Sequence, residues 1–231
     1  MTRIGYGYGS EWHLLRWMGR HRQVFDKMVL SAIEKDGWKI KWIDFNFKRG
    51  ETWPDAELKG LEFLDNYDQL KKDWESFWPV GSGIHNWDAV GWAYSGEDKE
   101  LLLIEAKANI QENITNCQAR DKDSVDKISG SLELVKSGLG VNAENDWTKK
   151  YYQFTNRLAV LYFLLQHSIP AHLLFIYFIG DRSGKRRTCP KSIGEWKSIL
   201  KDRKEYVGLP KGHPLEGRIQ ELFLRIDSEQ I

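Results

Sequence analysis

The chain has 231 residues, 34 Lys and Arg against 33 Asp and Glu, and a formal net charge of +1. Hydrophobic residues at 41% and charged residues at 29% exclude a disordered or collagen-like chain and suit one large domain or two small ones. The charge balance argues neither for nor against a nucleic-acid partner: a passive coat, whose affinity rests on neutralising phosphates, is usually far more basic, whereas an enzyme that carries an acidic metal site can be near neutral.

The longest apolar runs, 158–165 and 173–179, fall far short of the roughly 18 residues of a membrane span. The first residues lack the apolar core of a signal peptide, and Cys117 and Cys189 form no CxxC. A cytoplasmic protein without a four-cysteine zinc site is expected.

In chain order, Gly5, Gly7 and Gly9 lead into Ser10, a good N-cap, and Leu14, Leu15, Met18, Phe25, Met28, Val29 and Ile33 carry the spacing of one long amphipathic helix. Residues 38–47 alternate as a strand, with a shift of phase at Ile43 that predicts a bulge. The segment 54–79 predicts one or two helices inserted before a hairpin. That hairpin pairs 84–94 with 100–109 across Ser95, Gly96, Glu97 and Asp98.

A helix weakened by Gly130 is expected over 114–137, then a loop to 145 and an apolar helix over 148–167 that stops before Pro170. A buried strand at 171–180, a helix at 192–206 and a last helix at 215–226 follow. The 11 tryptophans read mainly as core and helix-anchoring residues. No repeat or linker divides the chain, so a single domain is expected.

The chemically informative stretch is Asp88 on the first arm of the hairpin and Leu101-Leu102-Leu103-Ile104-Glu105-Ala106-Lys107 on the second. Residues two apart on a strand leave the same face, so Glu105 and Lys107 sit side by side. Placing both after four apolar residues, at the end of a buried strand, costs hydration that something must compensate. Either the charges pair with one another and their neighbours, or a bound ion and substrate hold them. Asp88 approaches Glu105 across the sheet, and two carboxylates suit a hard divalent cation. Other acid-x-lysine pairs (Glu57/Lys59, Glu97/Lys99, Glu195/Lys197, Asp202/Lys204) lack the apolar run and the hairpin aspartate.

Asp88, Glu105 and Lys107, in a helix-strand-strand-strand-helix-strand order over about residues 10–180, resemble the PD-(D/E)xK nuclease superfamily, with Trp87 where the motif's name has proline. The resemblance implies an α/β fold: a central mixed β-sheet flanked by helices, a restriction-endonuclease-like αβββαβ core with a helical insertion and C-terminal helices. It implies that Asp88, Glu105 and the Ala106 carbonyl bind Mg²⁺ or Mn²⁺, that Lys107 orients water, and that Glu11 of the first helix completes the acidic shell. It implies hydrolysis of DNA phosphodiesters to 5′-phosphate ends.

Gln153, Asn156 and Arg157, at the start of the second core helix, are candidate substrate contacts, since residues four apart share a helix face. Arg16, Arg20, His21 and Arg22, with Lys185, Arg186 and Arg187, are candidate phosphate grips or simply a solvated basic face. His85 reads as a loop residue near the site. A second copy of the chain is a further candidate partner. The alternative function is a module that keeps the fold and binds nucleic acid or protein without turnover.

Overall fold

The computed structural model describes residues 7–43, 57–80, 85–142, 144–182 and 187–226. Its centre is a five-stranded sheet made of β1 (Lys39–Trp42), β4 (Ala89–Ser95), β5 (Asp98–Lys107), β6 (Ala171–Ile179) and β7 (Ile219–Arg225), in that spatial order. The first three strands pair antiparallel and the last three parallel, so the sheet is mixed. A short ribbon of β2 (Leu58–Lys59) and β3 (Asn86–Trp87) forms a second, antiparallel sheet.

The expected hairpin is present, and Ser95 pairs with Asp98 around Gly96, whose φ of 58° is a conformation that glycine adopts at least cost. β6 is buried along its whole length, as its unbroken apolar run requires of a central parallel strand.

Helices cover both faces. On one, α1 (Ser10–Arg20) and α2 (Arg22–Ala32) bury Leu14, Trp17, Met18, Phe25 and Val29 against Ile104, Ala106, Ile176 and Leu224. On the other, α3 (Tyr67–Phe77), α4 (Lys122–Gly138), α5 (Tyr152–Gln166) and α6 (Ile193–Val207) pack Trp74, Leu132, Leu158 and Trp196 on Leu101, Leu103 and Leu173. The tryptophans expected in the core are there: Trp74, Trp78, Trp87, Trp147 and Trp196 are all fully buried.

Four expectations need correction. The single long first helix is two helices joined at His21, whose φ of −121° is not helical, with the Arg22 Nε donating to the Met18 carbonyl at 2.7 Å across the joint. The insertion holds one helix and the short strand β2 rather than helices alone; residues 54–56 lie outside the described residues.

The expected last helix at 215–226 is the strand β7. Leu215 to Gly217 close a turn, with Gly217 at φ 78°, and Ile219 to Arg225 then run parallel to β6. Its Phe223 and Leu224 leave opposite faces and join the two cores, which satisfies an apolar run on a two-sided sheet better than one helix face does. The bulge expected at Ile43 does not form there, since Trp42 pairs with Gly91 and the Ile43 N–H donates to the Val90 carbonyl at 2.9 Å in the same register; residues 44–47 lie outside the described residues.

Candidate functional site

β5 and β6 run parallel, and their carboxyl ends form a rim of the sheet, the position at which open α/β sheets hold ligands. Glu105 and Lys107 stand on this rim and face α5, continuing the row of Leu101 and Leu103. Both are nearly inaccessible, at 2% and 7% exposure.

Lys107 Nζ donates to Glu105 Oε1 at 2.5 Å and to Gln153 Oε1 at 2.8 Å. Gln153 Nε2 donates to the same Glu105 oxygen at 2.9 Å. The other oxygen of Glu105 accepts from Arg157 Nε at 2.9 Å. Gln153 and Arg157, one helical turn apart, thus share the α5 face turned to β5. Arg157 is itself held by the Asn156 side chain at 3.2 Å, by the Asn86 carbonyl and by the Trp87 ring, 4.6 Å beneath the guanidinium. Asn156 is therefore a support for Arg157.

Asp88 occupies a bend between β3 and β4. The bend turns Trp87 into the core of the α5 face, where its Nε1 donates to the Gly60 carbonyl at 2.9 Å. It leaves Asp88 half-buried, with Oδ2 accepting the Ala106 N–H at 2.6 Å. The carboxylate is therefore bound to the peptide between Glu105 and Lys107.

Burial and the neighbouring Glu105 charge push the Asp88 carboxyl up to about 7, against the pull of Lys107 and the Ala106 N–H. Burial also works against ionised Glu105, but the charges of Lys107 and Arg157, and their hydrogen bonds, outweigh it and hold that carboxyl below the usual range. The two acids are thus driven apart in acidity, a pattern that marks candidate functional sites.

Among the described residues no group of three His, Cys, Asp or Glu side chains gathers as a metal site. Mg²⁺ is commonly held by one or two carboxylates, with phosphate oxygens and waters completing six positions. Asp88, Glu105 and the Ala106 carbonyl are oxygen donors of the kind that ion takes, and both Glu105 oxygens also meet Lys107, Gln153 or Arg157.

Glu11 is exposed and lines a groove with Tyr8, Trp12, Glu112 and Arg187. It makes no hydrogen bond or ion pair to any other described residue, so the structure does not tie it to the acidic pair. Arg16 donates to the Ile226 carbonyl, and Arg20 is exposed at the end of α1. Arg187 pairs with Glu112 at 3.7 Å, while Lys185 and Arg186 lie outside the described residues.

His85 is buried among Trp74, Trp78 and Trp87, with ring centroids 4.9–6.1 Å away, and burial lowers its pKa well below the ordinary value. It is a core residue.

A second buried ionic cluster went unseen in the sequence. At the opposite end of β5, Glu100 accepts from His172 at 2.6 Å, Arg218 at 2.9 Å and Lys35 at 2.9 Å. His172, alone among the apolar residues of β6, was the available signal.

The fold and the rim cluster define an α/β protein with a buried acid–base network at the carboxyl ends of parallel strands. No protein-family model, curated protein or solved structure matches the chain. No described helix is long and apolar enough to cross a membrane.

Proposed function

We propose that the protein is a Mg²⁺-dependent nuclease of the PD-(D/E)xK kind, with a restriction-endonuclease-like core, that hydrolyses DNA phosphodiester bonds. The observation that carries this reading is the side-by-side placement of Glu105 and Lys107 at the end of a buried strand, with the Asp88 carboxylate on the peptide between them.

Asp88, Glu105 and the Ala106 carbonyl would hold the cation. A bound divalent cation supplies the positive charge that stabilises the phosphate as negative charge builds on it. The protein's own residues do the rest. Lys107 keeps a second positive charge beside the phosphate and offers its ammonium hydrogens to the attacking water. Gln153 fixes Lys107 by accepting one of those hydrogens. Arg157 keeps Glu105 ionised and in one rotamer, the kind of support that pre-organises a site.

The test is incubation of purified protein with plasmid DNA, with Mg²⁺ or with EDTA. Cutting with Mg²⁺ is expected, with a loss of about 10²-fold or more in Lys107→Ala and Asp88→Ala that keep their circular dichroism. Equal cutting by wild type and both variants overturns the assignment.

A second reading has its own observation: both Glu105 oxygens already meet Lys107, Gln153 and Arg157, so the network is complete without a cation. On that reading the chain binds nucleic acid without turnover. Binding would fall steeply with salt and ignore both Mg²⁺ and EDTA.

A further inference from the structure

The two edges of the central sheet, β1 and β7, differ in character. An edge strand presents unpaired N–H and C=O groups to any other strand, and proteins guard such edges with lysine, proline or a bulge. β1 is guarded: Lys39 and Lys41, two of its four residues, are exposed. β7 runs for seven residues without lysine or proline, in unbroken register with β6.

The ladder fixes which groups of β7 point outward. The Leu173 N–H donates to the Arg218 carbonyl at 2.8 Å, and the Ile226 N–H donates to the Ile179 carbonyl at 3.1 Å. Backbone groups of successive residues point to alternate sides of a strand, so Gln220, Leu222 and Leu224 also turn theirs to β6. Ile219, Glu221 and Phe223 turn theirs to the open side, where no described residue hydrogen-bonds them. Leu222 and Phe223, on opposite faces of the sheet, are each only half-buried.

We infer that β7 is the interface of a two-fold homodimer, pairing antiparallel with β7 of a second copy into one continuous sheet. The order of residues along the strand selects this occupant and one register. In an antiparallel pair, residues whose backbone groups point at the partner stand directly opposite one another. With the two-fold axis at Phe223, that ring meets the same ring of the second copy and Leu222 meets Leu224. Glu221 then faces Arg225 of the second copy, twice over, and such aromatic and opposite-charge pairs stabilise a sheet. The two neighbouring registers set Phe223 against Glu221 or against Arg225 and lose both charge pairs.

Glu221 has room for this contact. One oxygen is held by buried Arg203 at 2.7 Å, but the other meets only Lys204, which is two-thirds exposed, at 3.4 Å. Arg225 is exposed at the end of the strand. A patch complementary to itself is what a two-fold interface requires. Two seven-residue strands bury less than a standard interface, so the dimer is expected to be weak. The inference goes beyond the nuclease reading and does not depend on it.

The experiment is sedimentation velocity of the full chain in EDTA, without DNA, from about 5 to 300 µM. Half of the chains should be dimeric at roughly 10–100 µM. Arg225→Glu, an exposed change that sets two carboxylates against two others, should weaken association at least about tenfold while circular dichroism is kept. The register is read by oxidation in a Cys117→Ser, Cys189→Ser background. Phe223→Cys should form a disulfide-linked dimer, because directly opposed residues lie about 5.5 Å apart at Cα. Leu222→Cys should not, its copies being about 7–8 Å apart on the diagonal. A chain still monomeric at about 300 µM, or a dimer untouched by Arg225→Glu, means that this edge takes another strand or none, and overturns the inference. Linking through Leu222→Cys in place of Phe223→Cys overturns it as well.

Discussion

Glu105→Gln isolates the energetics of the rim. The substitution preserves shape and removes one negative charge from between two buried cations. Lys107 Nζ, 2.5 Å from one oxygen, and Arg157 Nε, 2.9 Å from the other, both donate. A Gln amide offers one acceptor and one NH₂, so at least one donor would face another donor. Removing one member of a buried ion pair costs about 3–5 kcal/mol, because the charge left behind stays desolvated. At roughly 2–4 °C per kcal/mol for a chain of 150–250 residues, Tm should fall by roughly 6–20 °C. Urea unfolding at pH 7 in EDTA measures the loss, with an unchanged slope showing that the folded state is the same. The triple variant Glu105→Leu, Lys107→Met, Arg157→Met should recover most of it, since an apolar replacement of a whole buried network is often neutral. A Glu105→Gln protein within about 1 kcal/mol of wild type would refute the described network.

Asp88→Asn should act in the opposite direction. The folded carboxyl, raised from 3.8 to about 7, holds its proton more tightly than the unfolded one, so wild-type stability falls as pH rises between those values. Asn removes that fall, and the variant should gain about 1–3 kcal/mol by pH 8 and almost nothing at pH 4, the full shift being discounted for partial exposure; a gain that does not change with pH contradicts this. Glu100→Gln should lose about 2–4 kcal/mol at pH 7 through its two cationic partners, Lys35 and Arg218, and its hydrogen bond with His172, an imidazole that burial keeps mainly neutral at that pH. Because burial is outweighed there and the carboxyl lies below its ordinary range, the wild type loses this advantage as pH falls through the folded value, and unfolding curves of the two proteins should converge in acid. Trp196→Ala, which empties a fully buried indole and abandons a 3.0 Å hydrogen bond to the Phe178 carbonyl, should cost about 3–5 kcal/mol by the same assay.

What the sequence made legible were elements whose pattern has a single solution. The run 101–104 followed by Glu105 and Lys107 reads only as a buried strand ending in charge, and its hairpin with the Asp88 arm follows from the turn residues. Gln153 and Arg157 were legible as a shared helix face, but their partner was not: Arg157 turns to Glu105 and the Trp87 ring, a pairing set by tertiary packing. β7 was misread because Leu215, Ile219, Leu222 and Ile226 fit helical spacing as well as alternation does, an ambiguity common to short apolar runs. Pro214 and Gly217, turn residues just ahead of a segment carrying Ile219 and Phe223, were the signals that favoured a strand. The break at His21 has one weak sequence mark, Gly19, a residue that costs about 1 kcal/mol inside a helix but does not by itself end one. Glu11 sits on the expected helix, yet at an exposed position, because helix spacing fixes a stripe and not which turn reaches the rim.

The bend at Asp88 makes one residue a hinge pin for two parts of the molecule. Trp87 plugs the core, hangs from the Gly60 carbonyl and serves as the shelf for Arg157, while the next residue presents its acid to the rim. Residues 58–60 therefore work as a mounting bracket for the acidic pair: trimming them would let the aspartate drift.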